Sequence, residues 1–358
     1  MKHFFKFIIF KKLWSNSQTK INLATEINDF CLKHNINKNE NVIIACSGGV
    51  DSMALAFLLK QLEFKNLTAV IIDHSIRKKS AKQAMQTVNF LQQHNFKATI
   101  ITADGIDAAK NLEENARNAR YNLLLDYASQ NNVKHIFVAH HLNDQIETFL
   151  LRLERGSALK GLCAMQEVTL FNDVKILRPL LNTPKQSLIT FCKANKIKWT
   201  EDESNQNPAI KRNFIRRYLH KTLGDELLLS RLNKTIKSLQ SDKIALDNYF
   251  DILFKQVVIT NSKSMQYAIK LSSYLKLEDS MRFRLIKHLL RENFFYLQAP
   301  KTQMQQEPDI RATEVENLHN FITGNAKSWI YKLCKSKVTK QKSDDDVIIY
   351  FSPIDPND

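Results

Sequence analysis

The chain has 358 residues, 44% of them hydrophobic, enough for one large domain and a smaller one. Its 52 Lys and Arg against 36 Asp and Glu leave a net charge of +16, which favours a polyanionic partner over a small acidic molecule alone. Five widely spaced cysteines (Cys31, Cys46, Cys163, Cys192 and Cys334) form no C-x-x-C pair, so neither a zinc ribbon nor a disulfide scaffold is indicated, and they read as reduced thiols of a cytoplasmic protein.

Residues 1–12 are basic and apolar, but the uncharged run covers only residues 7–10. That is too short for a signal peptide or a membrane span. Residues 1–19 read as an N-terminal extension, and no other stretch has the length and apolarity to cross a membrane.

From about residue 20 to about residue 200, short apolar runs alternate with helical patterns. Strands are expected at 42–45, 69–72, 98–101 and 135–139, with helices at 53–61, 82–94 and 112–130. The fold class is therefore α/β, a parallel sheet with helices on both faces. Ligands of such sheets bind at the carboxyl ends of the strands.

The first strand runs into Ser47-Gly48-Gly49-Val50-Asp51-Ser52, followed by an apolar helix. Two adjacent glycines in a chain with only 7 let the backbone approach a ligand closely. A small-residue loop opening a helix presents N–H groups to an anion and can cradle phosphates. It lacks the GK[ST] ending of the common NTPase loop. A plain strand-to-helix turn with Asp or Ser as cap is the alternative.

Further candidates follow other strand ends. Asp73 closes the second strand. On the 112–130 helix, Arg117 and Arg120 share a ridge, suited to phosphate or carboxylate recognition or to pairing with Glu113. After the fourth strand, His140-His141-Leu142-Asn143-Asp144-Gln145-Ile146-Glu147 enters a helix that puts Asp144 and Glu147 on one face. That carboxylate pair suits a magnesium ion or an ammonium group, whereas the spacing is not that of a zinc motif. Asp144 is equally a candidate helix cap. The segments Arg155 to Leu162 and Trp199 to Arg217 carry glycines, acids and arginines that suit a phosphate, a turn or a nucleic-acid backbone.

Beyond residue 223 the pattern turns mainly helical, at 227–250, 280–294 and 312–322, with Leu229, Leu232, Ile236 and Leu239 at steps of three and four. Two strand-like runs, 328–333 and 347–351, close the chain around a Lys/Ser/Asp loop, and 298–308 reads as a flexible loop.

In order, the strings SGGVDS, VIIDHSIR, NARNARY, AHHLNDQIET, RGSALKGL, RPLL and WTEDESN with RNFIR resemble the tRNA(Ile)-lysidine synthetase family of the PP-loop ATP pyrophosphatase superfamily, over about residues 20–220. The resemblance implies a PP-loop, Rossmann-like catalytic domain over 20–222 and a mainly helical tRNA-binding domain with a short terminal β element over 223–358. It implies ATP and Mg²⁺ as cofactors, and as partners free L-lysine and the isoleucine tRNA with a CAU anticodon. The implied reaction adenylates C2 of the wobble cytidine at position 34. The lysine ε-amine then displaces AMP, giving lysidine, AMP and pyrophosphate. Homodimers are common in the family. By this likeness residues Ser47, Gly48, Gly49, Val50, Asp51 and Ser52 hold the departing pyrophosphate, and Asp51 and Asp144 place Mg²⁺. Asp73 meets ribose or adenine, Arg120 stabilises phosphate charge, and Asp144 and Glu147 bind lysine or metal.

Asn143 and Ala158 depart from the family pattern, which usually has Asp and Gly there; altered affinity rather than lost chemistry is expected. A further tRNA-binding domain of longer relatives is expected to be missing or truncated. The competing readings are a PP-loop tRNA thiolase, which would use a cysteine pair or a cluster bound by C-x-x-C, and a non-catalytic nucleotide-dependent RNA-binding protein. Three carboxylates beside a polyphosphate argue against a pure binder.

Overall fold

The computed structural model describes residues 23–73, 80–102, 112–171, 173–200, 226–261, 266–296, 310–324 and 330–354. The chain divides into two compact units, Met1–Leu239 and Gln240–Asp358.

The first unit holds α1 (Leu23–Lys33), β1 (Asn41–Ala45), α2 (Val50–Gln61), β2 (Asn66–Asp73), α3 (Ser80–Gln93), β3 (Lys97–Thr102), α4 (Leu112–Gln130), β4 (His135–Phe137), α5 (Leu142–Glu154), α6 (Leu159–Leu162), β5 (Val168–Phe171), β6 (Val174–Leu177) and α7 (Lys185–Ala194). The strands form one sheet in the order β3-β2-β1-β4-β6-β5. All neighbours are parallel except the β5–β6 pair, which closes the edge antiparallel. The Val and Ile run of β1 is buried on both faces, as a central parallel strand covered on both sides requires. Helix α2 is apolar nearly all round and is correspondingly engulfed, with Met53, Leu55, Leu58 and Leu59 in the core and α7 packed against it.

β1 pairs with β2 on one side and β4 on the other, so the strand order reverses between β1 and β4. A crevice opens at such a switch point, beyond the carboxyl ends of both strands. The residues singled out after the first and fourth expected strands therefore lie at one place in the fold.

The four expected strands of this unit are all present, β2 longer and β4 shorter than anticipated. The β5–β6 pair was not anticipated. Each strand has only four residues, too few to register as a period, and their pairing across the sheet edge decides their form.

Helix α8 (Glu226–Val257) begins in the first unit, where Leu228, Leu229, Leu232, Ile236 and Leu239 pack with Leu142, Ile146 and Phe149 of α5. The second unit continues with β7 (Val258–Asn261), β8 (Gln266–Lys270), α9 (Leu271–Leu275), α10 (Asp279–Tyr296), α11 (Ala312–Thr323), β9 (Ile330–Leu333), β10 (Ser336–Lys342) and β11 (Val347–Pro353). Its antiparallel sheet runs β7-β8-β11-β10-β9 and buries Ile269, Val338, Ile349 and Phe351 against Leu285, Ile286, Leu289 and Leu318. The β element is thus larger than the two terminal runs suggested. Most of the Lys/Ser/Asp segment is strand β10, in which Ser336 and Val338 are fully buried and Val338 is the one apolar side chain. The expected loop at 298–308 and the N-terminal extension lie outside the described residues.

Candidate functional site

The Cys46 N–H still pairs with the Val70 carbonyl at 2.9 Å, and there β1 leaves the sheet. Gly48 then turns the chain at a φ of +82°, a region costly for any residue with a Cβ. A Cβ there would also collide with Thr87 Oγ1 and stand 3.0 Å from Thr200 Oγ1. Within the loop, the Ser47 N–H donates to Ser52 Oγ at 3.2 Å, and the Ser52 hydroxyl donates to the Gly49 carbonyl at 3.0 Å. Helix α2 starts from Gly49, which has no side chain to cap the first N–H groups. Those donors and the positive end of the helix dipole are left for an anion at the mouth, where Ser47 is exposed.

β4 supplies the opposite wall. His141 caps α5: its Nδ1 accepts the Asp144 N–H at 3.4 Å, and Asp144 Oδ2 accepts the His141 N–H at 3.1 Å. The other ring nitrogen, Nε2, lies 3.5 Å from Asp51 Oδ2 and 3.5 Å from Asp144 Oδ2. Lys185 Nζ stands 3.9 Å from the same Asp51 oxygen. Asp51 Oδ1 is buried with no hydrogen-bond partner among the described residues. Glu147, one turn beyond Asp144, is 1% exposed, so it is no solvated surface charge.

Supporting contacts fix this helix. The Gln145 side chain exchanges two hydrogen bonds with the Met165 backbone, at 2.7 and 2.9 Å. Asn143 Oδ1 accepts the Lys185 N–H at 3.0 Å, so the departure from the family pattern still serves the start of α7. Arg152 braces the turn after α5 by donating to the Gly161 and Ala164 carbonyls, both at 2.9 Å.

Burial alone would lower the His141 pKa; the carboxylates of Asp144 and Asp51 outweigh it and raise the pKa above the ordinary value. The neighbouring His140 goes the other way. Burial drives it well below the usual value, Asp144 opposes this, and the guanidiniums of Arg178, Arg117 and Arg120 reinforce it. Arg117 and Arg120 each sit 5.6 Å from the Tyr121 ring centre. Arg178, at the end of β6 and 6% exposed, donates to the Gln166 carbonyl at 3.0 Å and to Thr169 Oγ1 at 2.8 Å.

Of the sequence-singled residues, Asp51 and Asp144 thus meet around His141, with Glu147 on the same helix. Arg120 lies near enough to His140 to act on its charge. Asp73 closes β2, buried, and accepts the Ser80 hydroxyl at 2.6 Å from the start of α3. The strings at 74–77 and 201–217 lie outside the described residues. His141, Lys185, Arg178 and Thr200 were missed as members of the site. His141 had one signal, its place three residues before an acid at a helix start. Arg178 and Thr200 had only their places in the RPLL and WTEDESN strings, and Lys185 had none, since strand order and loop path bring them in.

Among the described residues no group of three or more His, Cys, Asp or Glu side chains is arranged to hold a metal ion alone. A magnesium ion on a nucleotide takes most of its ligands from phosphate and water, so one or two carboxylates suffice. The unpartnered Asp51 Oδ1 fits that need. None of the five cysteines is in a disulfide. Among the described residues no helix is long and apolar enough to cross a membrane.

The PP-loop domain family matches residues 17–223. The chain is 35% identical over 254 residues to the tRNA(Ile)-lysidine synthase of Wolbachia pipientis wMel, covering 69% of this chain and 58% of that protein. It is 32% identical over 258 residues to the enzyme of the same name from Rickettsia akari, covering 70% and 58%. The chain thus spans about 58% of the length of these curated relatives. Among solved structures, the U34-tRNA thiolase of Methanococcus maripaludis with its [4Fe-4S] cluster superposes with a TM-score of 0.50 at 16% identity, over 60% of this chain and 78% of that one. That likeness concerns the fold alone.

Proposed function

The chain belongs to the PP-loop domain family, which uses ATP, and from that premise we propose that it ligates L-lysine to C2 of the wobble cytidine of the isoleucine tRNA with a CAU anticodon. The observation that carries the reading is the meeting of the phosphate loop with Asp51, His141 and Asp144 at the switch point, with Glu147 buried on the same helix. The names of the curated relatives give the substrate class.

In the first step the cytidine O2 attacks the α-phosphorus of ATP, the bond to the β-phosphate breaks, and pyrophosphate leaves. Residues 47–52 hold the departing β- and γ-phosphates through backbone N–H groups and hydroxyls. Mg²⁺, when bound, would neutralise charge on that leaving group; Asp51 and Asp144 are the residues to hold it. Arg120 offsets charge on the α-phosphate, and Asp73 orients the ribose or adenine. In the second step the lysine ε-amine, having released its ammonium proton to water, attacks C2; the C2–O bond to the adenylate breaks, AMP departs, and the proton left on nitrogen passes to the departing AMP or to water. Asp144 and Glu147 hold the incoming ammonium side chain, and a carboxylate there favours positioning of the amine beside the reacting carbon. His141 keeps Asp51 and Asp144 apart from each other's charge by standing between them. The second unit contributes tRNA contacts, and the working state is a homodimer in the cytoplasm.

The test is incorporation of labelled lysine into isoleucine tRNA carrying either cytidine or another base at the wobble position. Lysine-dependent AMP release with the cytidine-bearing tRNA supports the reading. ATP consumption without lysine incorporation points to a thiolase-type enzyme, and binding without consumption to a pure RNA binder.

A further inference from the structure

Gly48 and Thr200 lie 152 positions apart in sequence, yet the Gly48 carbonyl accepts two hydrogen bonds from that one residue. The Thr200 N–H donates at 2.9 Å and its hydroxyl at 3.1 Å. Thr87, from α3, closes the space on the same glycine: its Oγ1 occupies the position a Cβ would need. Its own hydroxyl is engaged at 2.9 Å with the Gln83 carbonyl, so it acts as a wall and not as a competing donor to the loop.

This arrangement has a consequence for the anion. A trans peptide holds its C=O and the following N–H in opposite directions. Fixing the Gly48 carbonyl on Thr200 therefore aims the Gly49 N–H away from Thr200. That N–H makes only a long contact with Ser47 Oγ, at 3.5 Å, so most of its donor capacity is unspent. If the same peptide rotated, a carbonyl oxygen would replace an N–H in the loop and repel a phosphate. Gly48, at a φ of +82° and with no Cβ, has little intrinsic preference against that rotation. The restraint has to come from outside the loop, and Thr200 supplies it.

We infer that Thr200 is a positioning residue for the phosphate loop: by holding the Gly48 carbonyl it orients the Gly49 N–H toward the β- and γ-phosphates of the nucleotide. The inference deepens the proposed function and rests on its assignment of residues 47–52 to the polyphosphate. Thr200 touches no reacting atom, and its effect falls on phosphate affinity.

The test compares the full chain with Thr200→Val, which keeps the shape and the N–H but removes the hydroxyl, and with Thr200→Ser, which restores it. Binding of ATP, pyrophosphate and AMP is measured by calorimetry in the presence of Mg²⁺. The expected result is about fivefold weaker binding of ATP and pyrophosphate to T200V, unchanged AMP, and recovery in T200S, as loss of one hydrogen bond predicts. Equal affinity of T200V and wild type for ATP overturns the inference, and so does a parallel loss of AMP binding, which would mark a general structural defect. A wild-type chain that binds none of the three overturns the phosphate-loop assignment itself, and the inference with it.

Discussion

Asp51 and Asp144 approach the same atom: each places a carboxylate oxygen 3.5 Å from Nε2 of His141. One carboxylate comes from the helix after β1 and the other from the helix after β4. Two acids at such proximity would repel each other if nothing stood between them. The imidazole makes the pair tolerable and places both beside the phosphate loop.

That relationship has a pH signature. The His141 pKa is raised in the folded chain, against burial, by Asp144 and Asp51. Its contribution to stability is therefore fully present below about pH 6.5, the ordinary histidine value, and is lost as the pH rises through the higher folded value. Urea midpoints of wild type and His141→Asn, measured from pH 5.5 to 8.5, should show the wild-type advantage shrinking as pH increases. An advantage that grows with pH would contradict the assigned direction.

Asp144→Asn keeps an oxygen that accepts the His141 N–H, so the capping of α5 survives. The charge is lost. Lysidine formation should fall at least about 100-fold, the range typical of lost acid–base or electrostatic participation, with the melting temperature moving by no more than about 3 °C. Near-normal turnover would remove Asp144 from the site.

Gly48→Ala meets two obstacles at once, the positive φ and the Thr87 hydroxyl. The expected loss is about 2 kcal/mol or more of stability, together with ATP affinity. In a Thr87→Ala background the collision is relieved but the backbone strain stays, so only part of the stability should return. Denaturation curves of the single and double variants separate the two contributions.

The net charge of +16 predicts a steep salt response for tRNA binding. Each neutralised phosphate adds roughly 0.7–0.9 to the slope of log affinity against log salt, so a slope steeper than about −3 is expected. A flat response, measured by filter binding between low and moderate salt, would mean that the basic side chains do not meet the nucleic acid.

The sequence carried the phosphate loop clearly because an apolar run, a glycine pair and an apolar helix stand in a glycine-poor chain. It carried α4 to its ends, Leu112–Gln130, and the apolar stripe of α8. It concealed β10, because Ser336–Lys342 has one buried apolar residue among lysines and becomes a strand only through its pairing with β9 and β11. The same limit applied to the site. Asp51 and Asp144 were each visible, whereas their meeting at His141 depends on β4 lying next to β1. Thr200 was just one hydroxyl in an acidic string until the chain path brought it to Gly48.

The pairing of β1 with β4, through Val42 and His135, also sets when the protein becomes competent. The candidate site as a whole does not form from local chain alone, and contacts between distant segments are late and slow to close during folding. Nucleotide binding should therefore return with the slowest refolding phase of the first unit, and a nascent chain that has not yet emerged past Thr200 should hold no ATP.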